Sequence, residues 1–186
     1  MINEIKKVED VAVEKVVEDV PVQVVPPKDS VIHRIVKPHE KKSRLVIDAD
    51  IDKVVSESKV LYEICFTQNG LYRGAYAMHH SQIDDQDPMQ LFVTADRKIV
   101  INPVVLKHSN YTTDSWEACM SFPGRPTVRV PRWQKMEVEY QTVMLDPNDK
   151  EKFKLSSKIK ESLSGFESYV YQHEMDHAEA KFIHPY

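Results

Sequence analysis

The chain is poor in three features that mark large classes of proteins. Its 186 residues include two cysteines, Cys65 and Cys119, so it is not a small secreted domain held by a disulfide framework. No apolar run approaches the roughly 18 residues of a membrane span. Basic residues number 25 and acidic residues 29, for a net charge of −4. The charge therefore gives no reason to expect nucleic acid or an anionic membrane as a partner.

The N-terminal residues also lack export signals. Residues 1–7 contain no secretory hydrophobic segment, and the acids in this region are atypical of an organellar transit peptide. We therefore expect a cytoplasmic protein. A disulfide between Cys65 and Cys119 is possible in principle, but in a reducing compartment a thiolate near paired histidines is more often a metal ligand.

The remaining composition, 41% apolar and 29% charged residues, is that of an ordinary globular protein, and the length suffices for one core. Residues 1–29 are rich in Val and Glu and contain neither aromatic residues nor glycine. We predict that they form a flexible arm, with a docking segment for a partner as the alternative. The folded domain is predicted over residues 30–186.

Hydrophobic periodicity predicts helices toward both ends of this domain. Apolar residues recur at helical spacing over residues 45–68, and a second helix is predicted over 166–182. A Lys- and Ser-rich stretch, 150–164, leads to that second helix. Strands are predicted between the helices from short β-branched or alternating runs at 91–93, 98–101, 127–130 and 136–140. This order indicates an α+β domain.

The most informative segment, residues 171–177, reads Tyr-Gln-His-Glu-Met-Asp-His. His173 and His177 lie four residues apart, so on a helix both imidazoles share one face and can reach one metal ion. Glu174 would lie close enough to act on a water molecule there. The same spacing also occurs on plain polar helix faces. Here the flanking residues are apolar and aromatic, which predicts a buried helix whose imidazoles and carboxylates need partners or a cation.

Cys119 offers a third ligand. It lies in residues 117–121, Glu-Ala-Cys-Met-Ser. A catalytic metal site typically uses three protein ligands and leaves one position for water. An isolated cysteine is usually a small buried apolar residue, and that is our interpretation of Cys65. Metal-assisted hydrolysis is therefore the leading functional hypothesis.

The two segments together resemble the motifs of peptide deformylases. Residues 117–121 are similar to the family's Glu-Gly-Cys-Leu-Ser, and residues 172–177 to its Gln-His-Glu-x-Asp-His on the last helix. Ile-Asn-Pro at 101–103 and Val-Pro-Arg at 130–132 resemble supporting elements in the same order. The resemblance covers roughly residues 30–184. It implies small mixed or antiparallel sheets packed around a central C-terminal helix that carries the paired histidines.

The family's first motif, Gly-x-Gly-x-Ala-Ala-x-Gln-Ile, has a divergent counterpart at residues 75–83. Both glycines are alanine here, which disfavours the positive φ values that glycine reaches easily. Both alanines are histidine, His79 and His80, while Gln82 is retained. We expect the two histidines to lie on a loop or helix surface, with a second metal site or a proton shuttle as the alternative.

The resemblance implies hydrolysis of the N-formyl group from the initiator methionine of nascent polypeptides. It makes Cys119, His173 and His177 the ligands of one divalent ion, usually ferrous iron in this family, with zinc or nickel tolerated. Glu174 would act as general base and then as general acid. The neighbouring carboxylates, Glu117 and Asp176, would each accept an imidazole N–H or a guanidinium and so fix the ligand geometry.

Roles for residues around the reacting group also follow from the resemblance. The side chain of Gln82 and the backbone N–H of Met120 would stabilise the oxyanion. We predict that Tyr169 and Val170 line the pocket for the methionine side chain, with Phe122 nearby. Plain core packing is the alternative for Tyr169.

The expected partners are N-formylmethionyl ends of nascent chains and, with them, the ribosome, without direct nucleic-acid or membrane contact. Such substrates occur in bacteria, in organelles and in viruses that infect bacteria. Two alternatives stay open. The chain is a different metallopeptidase whose third ligand is His184 or Glu179, or it is a catalytically impaired, deformylase-like binding module, as the altered first motif suggests.

Overall fold

The computed structural model describes residues 35–66 and 75–185. The predicted arm at 1–29 and the predicted domain boundary at residue 30 lie outside the described residues. The described part contains two α-helices and nine strands, with bounds as follows: α1 Ile51–Phe66, β1 Ala77–His79, β2 Leu91–Thr94, β3 Ile99–His108, β4 Thr112–Glu117, β5 Val128–Trp133, β6 Lys135–Gln141, β7 Val143–Asp146, β8 Asp149–Leu155, β9 Ile159–Ser164 and α2 Phe166–Ala178. Neither helix has the length and apolar character needed to cross a bilayer.

The strands form three antiparallel sheets. Five of them make the largest sheet, in the order β1-β2-β3-β6-β9, while β4 pairs with β5 and β7 pairs with β8 as separate two-stranded sheets. Helix α2 contacts β1 and β9 of the large sheet and also β5 of the β4–β5 pair. The expected α+β fold, with small sheets around a C-terminal helix, is confirmed.

The two helices cover opposite faces of the large sheet. All four residues of β2 are buried, as expected for an interior strand. Leu91 and Val93 belong to the apolar cluster formed with α1, whereas Phe92 belongs to the cluster formed with α2. The Phe92 ring meets the ring of Tyr171 on α2 edge to face, with centroids 5.1 Å apart. Helix α2 is thereby held against the sheet by its apolar side.

The first helix begins later than the periodicity predicts. A short 3₁₀ turn, Asp48–Asp50, precedes α1, and residues 45–47 are not helical. The cause is Asn102, whose side-chain amide accepts the Val46 N–H at 2.8 Å and donates to the Val46 C=O at 2.9 Å. Asn102 has a φ of 52°, a left-handed conformation that asparagine tolerates better than most residues. A partner 56 positions away therefore overrides the local helical pattern.

Strands β8 and β9 occupy most of the Lys- and Ser-rich stretch at 150–164, where the sequence analysis assigned none. Strand β9 is an edge strand of the large sheet, and β8 belongs to the small hairpin. Charged residues are typical of exposed strand edges because they discourage further pairing. The strong apolar alternation that identifies interior strands is therefore missing from both.

Helix α2 ends at Ala178 rather than near residue 182. The chain reverses at Ala180, whose φ is +55°, and the Lys181 N–H donates to the Asp176 C=O at 2.8 Å. This reversal brings the Phe182 ring back against the ring of His177, with centroids 5.1 Å apart. The C-terminal residues therefore pack over the end of the helix instead of extending it.

Replacing Ala180 by glycine should stabilise the protein by about 1 kcal/mol. A left-handed conformation costs an L-residue about 1–2 kcal/mol, part of which is offset because glycine gains freedom in the unfolded chain. Urea unfolding would measure the gain. The control is Ala178→Gly at the last helical residue, which should destabilise by up to about 1 kcal/mol. If both variants lowered the free energy of unfolding by the same amount, the left-handed turn at residue 180 would be contradicted.

Candidate metal centre

Three side chains that could bind a metal ion converge at the C-terminal half of α2. The sulfur of Cys119 and the ring nitrogens of His173 and His177 offer ligand atoms that all lie within 4.8 Å of one another. Cys119 Sγ is 3.3 Å from His177 Nε2. Ligand atoms of a tetrahedral zinc-type ion, at the usual bond lengths, are separated by roughly 3.3–3.6 Å. The separation of Cys119 Sγ and His177 Nε2 already has this spacing, so the trio could hold one divalent ion.

Secondary structure positions each candidate ligand. His173 and His177 are one turn apart on α2, as their spacing predicts, and Cys119 lies two residues after the end of β4. Cys119 and His177 are buried, and only 13% of the His173 side chain is exposed. Both cysteines are free thiols, and Cys65 lies in α1 with its side chain in the core, as expected.

His173 is oriented by Glu117. The Nδ1 atom of His173 lies 2.9 Å from Glu117 Oε2, which leaves Nε2 to face the ligand cluster. Burial alone would raise the pKa of Glu117, but hydrogen bonds from Arg132 and His173 lower it to about 2. Glu117 is therefore an ionised acceptor, and it selects the tautomer in which Nδ1 carries the proton.

Arg132 completes a buried chain of charges. Its Nε and Nη2 atoms each donate to Glu117 at 2.8 Å, and its Nη1 donates to Asp176 on α2. Arg132 and Glu117 are only 5% and 8% exposed. No separate role was predicted for Arg132. The signal was indirect, because two carboxylates predicted to flank buried ligands require a cation nearby.

Glu174 is buried beside the cluster, and its Oε2 has no hydrogen-bond partner within residues 35–66 and 75–185. Burial raises the pKa of Glu174 to about 7, while the nearby His173 favours the charged form. A divalent cation bound at the cluster would lower this value. A carboxyl group whose pKa is near neutral and whose oxygen has no competing hydrogen bond is suited to proton transfer.

Gln82 points its amide into the same site. Its Oε1 accepts the backbone N–H of His79 at 2.9 Å, and its Nε2 donates to Ser121 Oγ at 3.1 Å. The same Nε2 is 4.0 Å from Cys119 Sγ. The donor end of the amide is therefore directed toward Cys119.

The expectation that His79 and His80 lie on the surface is wrong, because both are buried. Each ring accepts a backbone N–H through Nδ1 at 3.1 Å, His79 from Ser81 and His80 from Met89. Burial keeps the pKa of His79 well below its ordinary value, so the ring is neutral. Backbone donors thus make burial of these histidines possible, and such donors are invisible in the sequence.

A cleft of about 740 Å³ opens onto the cluster. Its walls include Tyr169, Val170 and Phe122, the predicted substrate-binding residues. The remaining predicted site residues that line it are Gln82, Cys119, Met120, His173 and Glu174. Of the three candidate ligands, His177 alone does not line the cleft, and it is buried.

The rival third ligands lie elsewhere. The His184 ring packs against the ring of Phe122, with centroids 5.2 Å apart, and Glu179 pairs with Lys42 at 2.6 Å. Neither belongs to the ligand cluster found among the described residues. The geometry therefore favours Cys119 as the third ligand over either downstream residue.

Comparison with known proteins agrees with this geometry. The family model described as polypeptide deformylase matches residues 21–185. Peptide deformylase 2 of Nostoc sp. is 35% identical over 78 residues, which are 42% of this chain and 37% of that relative. The peptide deformylase of Aquifex aeolicus is 28% identical over 147 residues, 76% of this chain and 74% of that relative. The chain thus spans less than half the length of the first relative.

A solved structure shows the same fold. The class I type b peptide deformylase from Acinetobacter baumannii superposes with a TM-score of 0.64 at 18% sequence identity. The match covers 81% of this chain and 96% of the other.

Cys119→Ala should weaken Zn²⁺ binding by more than about 100-fold, because even loss of a residue that only supports a ligand typically costs 10–100-fold. Calorimetric titration of the metal-free protein would measure the change. Cys65→Ala is the matched control, since it removes the other buried thiol, and it should bind Zn²⁺ like the parent protein. If the two variants bound Zn²⁺ with equal affinity, Cys119 would not be the third ligand.

Proposed function

The chain belongs to the peptide deformylase family, and we propose that it hydrolyses the N-formyl group from the initiator methionine of nascent polypeptides. The products are formate and a free amino terminus. The observation that supports this proposal most strongly is the convergence of Cys119, His173 and His177 beside Glu174 at the inner end of a cleft.

Cys119, His173 and His177 are the proposed ligands of one divalent ion. A set of one thiolate and two imidazoles suits several first-row metals, so the ligands alone do not select one. We propose ferrous iron as the physiological ion, because the family usually uses it, with zinc or nickel as substitutes. When bound, the ion would act as a Lewis acid toward the formyl carbonyl and would lower the pKa of a water molecule.

Glu174 is the proposed proton carrier. It takes a proton from the attacking water as the oxygen–carbon bond forms, and it gives that proton to the amine nitrogen as the C–N bond breaks. Its burial and its open Oε2 support this role, since the group can exchange a proton near neutral pH. One carboxylate therefore serves both steps.

Gln82 and Met120 are the proposed oxyanion donors. Negative charge develops on the formyl oxygen in the transition state, and donors aimed at that position stabilise it. Gln82 Nε2 is held toward Cys119, and Met120 follows that ligand directly in the chain. Donation by the Gln82 amide and the Met120 backbone N–H would place two donors on one side of the reacting carbon.

The substrate proposed for the cleft is an extended peptide end. Among the described strands, β1 pairs only with β2 and β4 only with β5, and residues of β1 and β4 line the cleft. A peptide could therefore pair with either free edge through main-chain hydrogen bonds. Tyr169, Val170 and Phe122 are the proposed walls of the pocket for the methionine side chain.

Nascent chains that begin with formylmethionine define the proposed setting. The partners would be these chain ends and, with them, the ribosome, in the cytoplasm of a bacterium or of a bacterial host.

One observation favours a second candidate function, a binding module that keeps the metal but has lost turnover. Ala75 and Ala77 line the cleft where the family motif has glycines, so each adds a methyl group that glycine would lack.

Glu174→Gln should lower the rate of formate release by about 10²–10⁴-fold, because it removes the proton carrier while keeping the shape of the side chain. The assay uses formyl-Met-Ala-Ser and the iron-loaded, anaerobic protein, and metal content is measured in parallel to show that the site is intact. If the parent protein releases no more formate than the variant, the binding module replaces the deformylase proposal.

Gln82→Ala should lower kcat by about 10²–10³-fold with little change in KM, the usual effect of losing one oxyanion donor. Steady-state kinetics on the same substrate would measure it. Gln86→Ala is the matched control, because that glutamine lies in an exposed loop, and its kcat should equal that of the parent. An unchanged kcat in the Gln82→Ala variant would show that Gln82 is not an oxyanion donor.

A further inference from the structure

The residue that carries the proposed oxyanion donor sits on a single 3₁₀ turn, His80–Gln82. His79 precedes this turn in an extended conformation, with φ −90° and ψ 148°, which is the geometry of an N-cap residue. Its Nδ1 accepts the Ser81 N–H at 3.1 Å and also lies 2.9 Å from Ser81 Oγ. The imidazole therefore fills the role that asparagine or serine usually takes at a helix start.

The capping is reciprocal. While the His79 ring accepts from the turn, the His79 backbone N–H donates to Gln82 Oε1 at 2.9 Å. This is the pattern of a capping box, in which two donors near the start of a helix are satisfied together. Because Oε1 is occupied in this way, Nε2 is the end of the Gln82 amide that faces Ser121 and Cys119.

The rest of the turn is anchored from outside. The His39 Nε2 atom lies 3.1 Å from the Ser81 C=O, and the Val36 N–H donates to the Gln82 C=O at 2.9 Å. The Met89 N–H donates to His80 Nδ1. These contacts hold the turn and its end, whereas the contact that fixes its start is the one from the His79 ring to Ser81.

A packing role is the competing explanation. The His79 ring stacks nearly parallel to the ring of His177, with centroids 6.2 Å apart and an interplanar angle of 26°. A side chain that only fills this space needs volume, while a cap needs an acceptor at the position of Nδ1. In asparagine, Oδ1 is separated from Cα by as many bonds as Nδ1 is in histidine, so asparagine can accept the same hydrogen bond. Phenylalanine has a ring that fills space but no acceptor. The two explanations therefore predict different outcomes for these two substitutions.

We propose that His79 is a positioning residue that caps the turn of Gln82 and thereby directs the Gln82 amide N–H into the metal site. The alanine found at this position in the family motif offers no acceptor, so the cap is a property of this chain. The inference rests on the proposed function in so far as Gln82 acts as the oxyanion donor.

The first experiment compares His79→Ala, His79→Phe and His79→Asn in the formate-release assay. The alanine and phenylalanine variants should lose about tenfold in kcat, which corresponds to about 1.4 kcal/mol and lies within the cost of about 0.5–2 kcal/mol for a lost cap, with KM and bound metal unchanged. The asparagine variant should recover kcat to within about twofold of the parent. Recovery by phenylalanine and not by asparagine would overturn the cap in favour of packing.

A double-mutant cycle with Gln82→Ala separates positioning from a general structural effect. If His79 acts through Gln82, replacing His79 by alanine should change kcat by less than about twofold once Gln82 is already alanine. A tenfold loss in both backgrounds would overturn the proposal, because the ring would then influence the reaction without Gln82.

Hydrogen exchange of the Ser81 amide provides a readout that does not depend on turnover. The exchange rate should rise about tenfold in the alanine and phenylalanine variants and stay near the parent value in the asparagine variant. An unchanged rate in all three would show that His79 does not cap the turn. If the parent protein releases no formate, the deformylase proposal fails, and this exchange measurement still decides on the cap.

Discussion

Burial of charge beneath the cleft is the constraint on which the rest of the site depends. Arg132 and Glu117 are almost fully removed from solvent, and a buried ion pair is tolerated only when every partner is in place. Arg132 comes from β5, Glu117 from the end of β4, and both reach α2 through Asp176 and His173. This chain of contacts ties the β4–β5 sheet to the helix. Because Cys119 follows Glu117 by two residues, the same contacts place the thiol against the imidazoles.

Side-chain amides serve as substitute strand partners at two places in the fold. Gln172 on α2 accepts the Trp133 N–H at 2.9 Å and donates to the Trp133 C=O at 2.8 Å, so the helix satisfies the backbone at the end of β5. Asn102 does the same for Val46. Both residues belong to segments that resemble family motifs, yet the hydrogen bonds described for them are to the backbone of neighbouring segments.

Local patterns predicted the parts of the site that depend on one element. The spacing of His173 and His177 determines a shared face on any helix, and their apolar neighbours indicate burial. The approach of Cys119 depends on how β4 meets α2, which no local pattern reveals. Cys119 was predicted as the third ligand because a catalytic metal site needs three protein ligands and because of the family resemblance. The burial of His79 was missed because it depends on a donor, the Ser81 N–H, that no side-chain pattern reveals. Edge strand β9 was not predicted because its charged residues replace the alternation of apolar and polar residues on which strand prediction relies.

The central claim is that one thiolate and two imidazoles hold a single divalent ion, and X-ray absorption spectroscopy of the protein loaded with one equivalent of Zn²⁺ tests it most directly. The account predicts one sulfur neighbour at about 2.3 Å and two imidazole nitrogens at about 2.0–2.1 Å, with a lighter fourth neighbour. A first coordination shell that contains nitrogen and oxygen but no sulfur would contradict the assignment of Cys119 and, with it, the proposed centre.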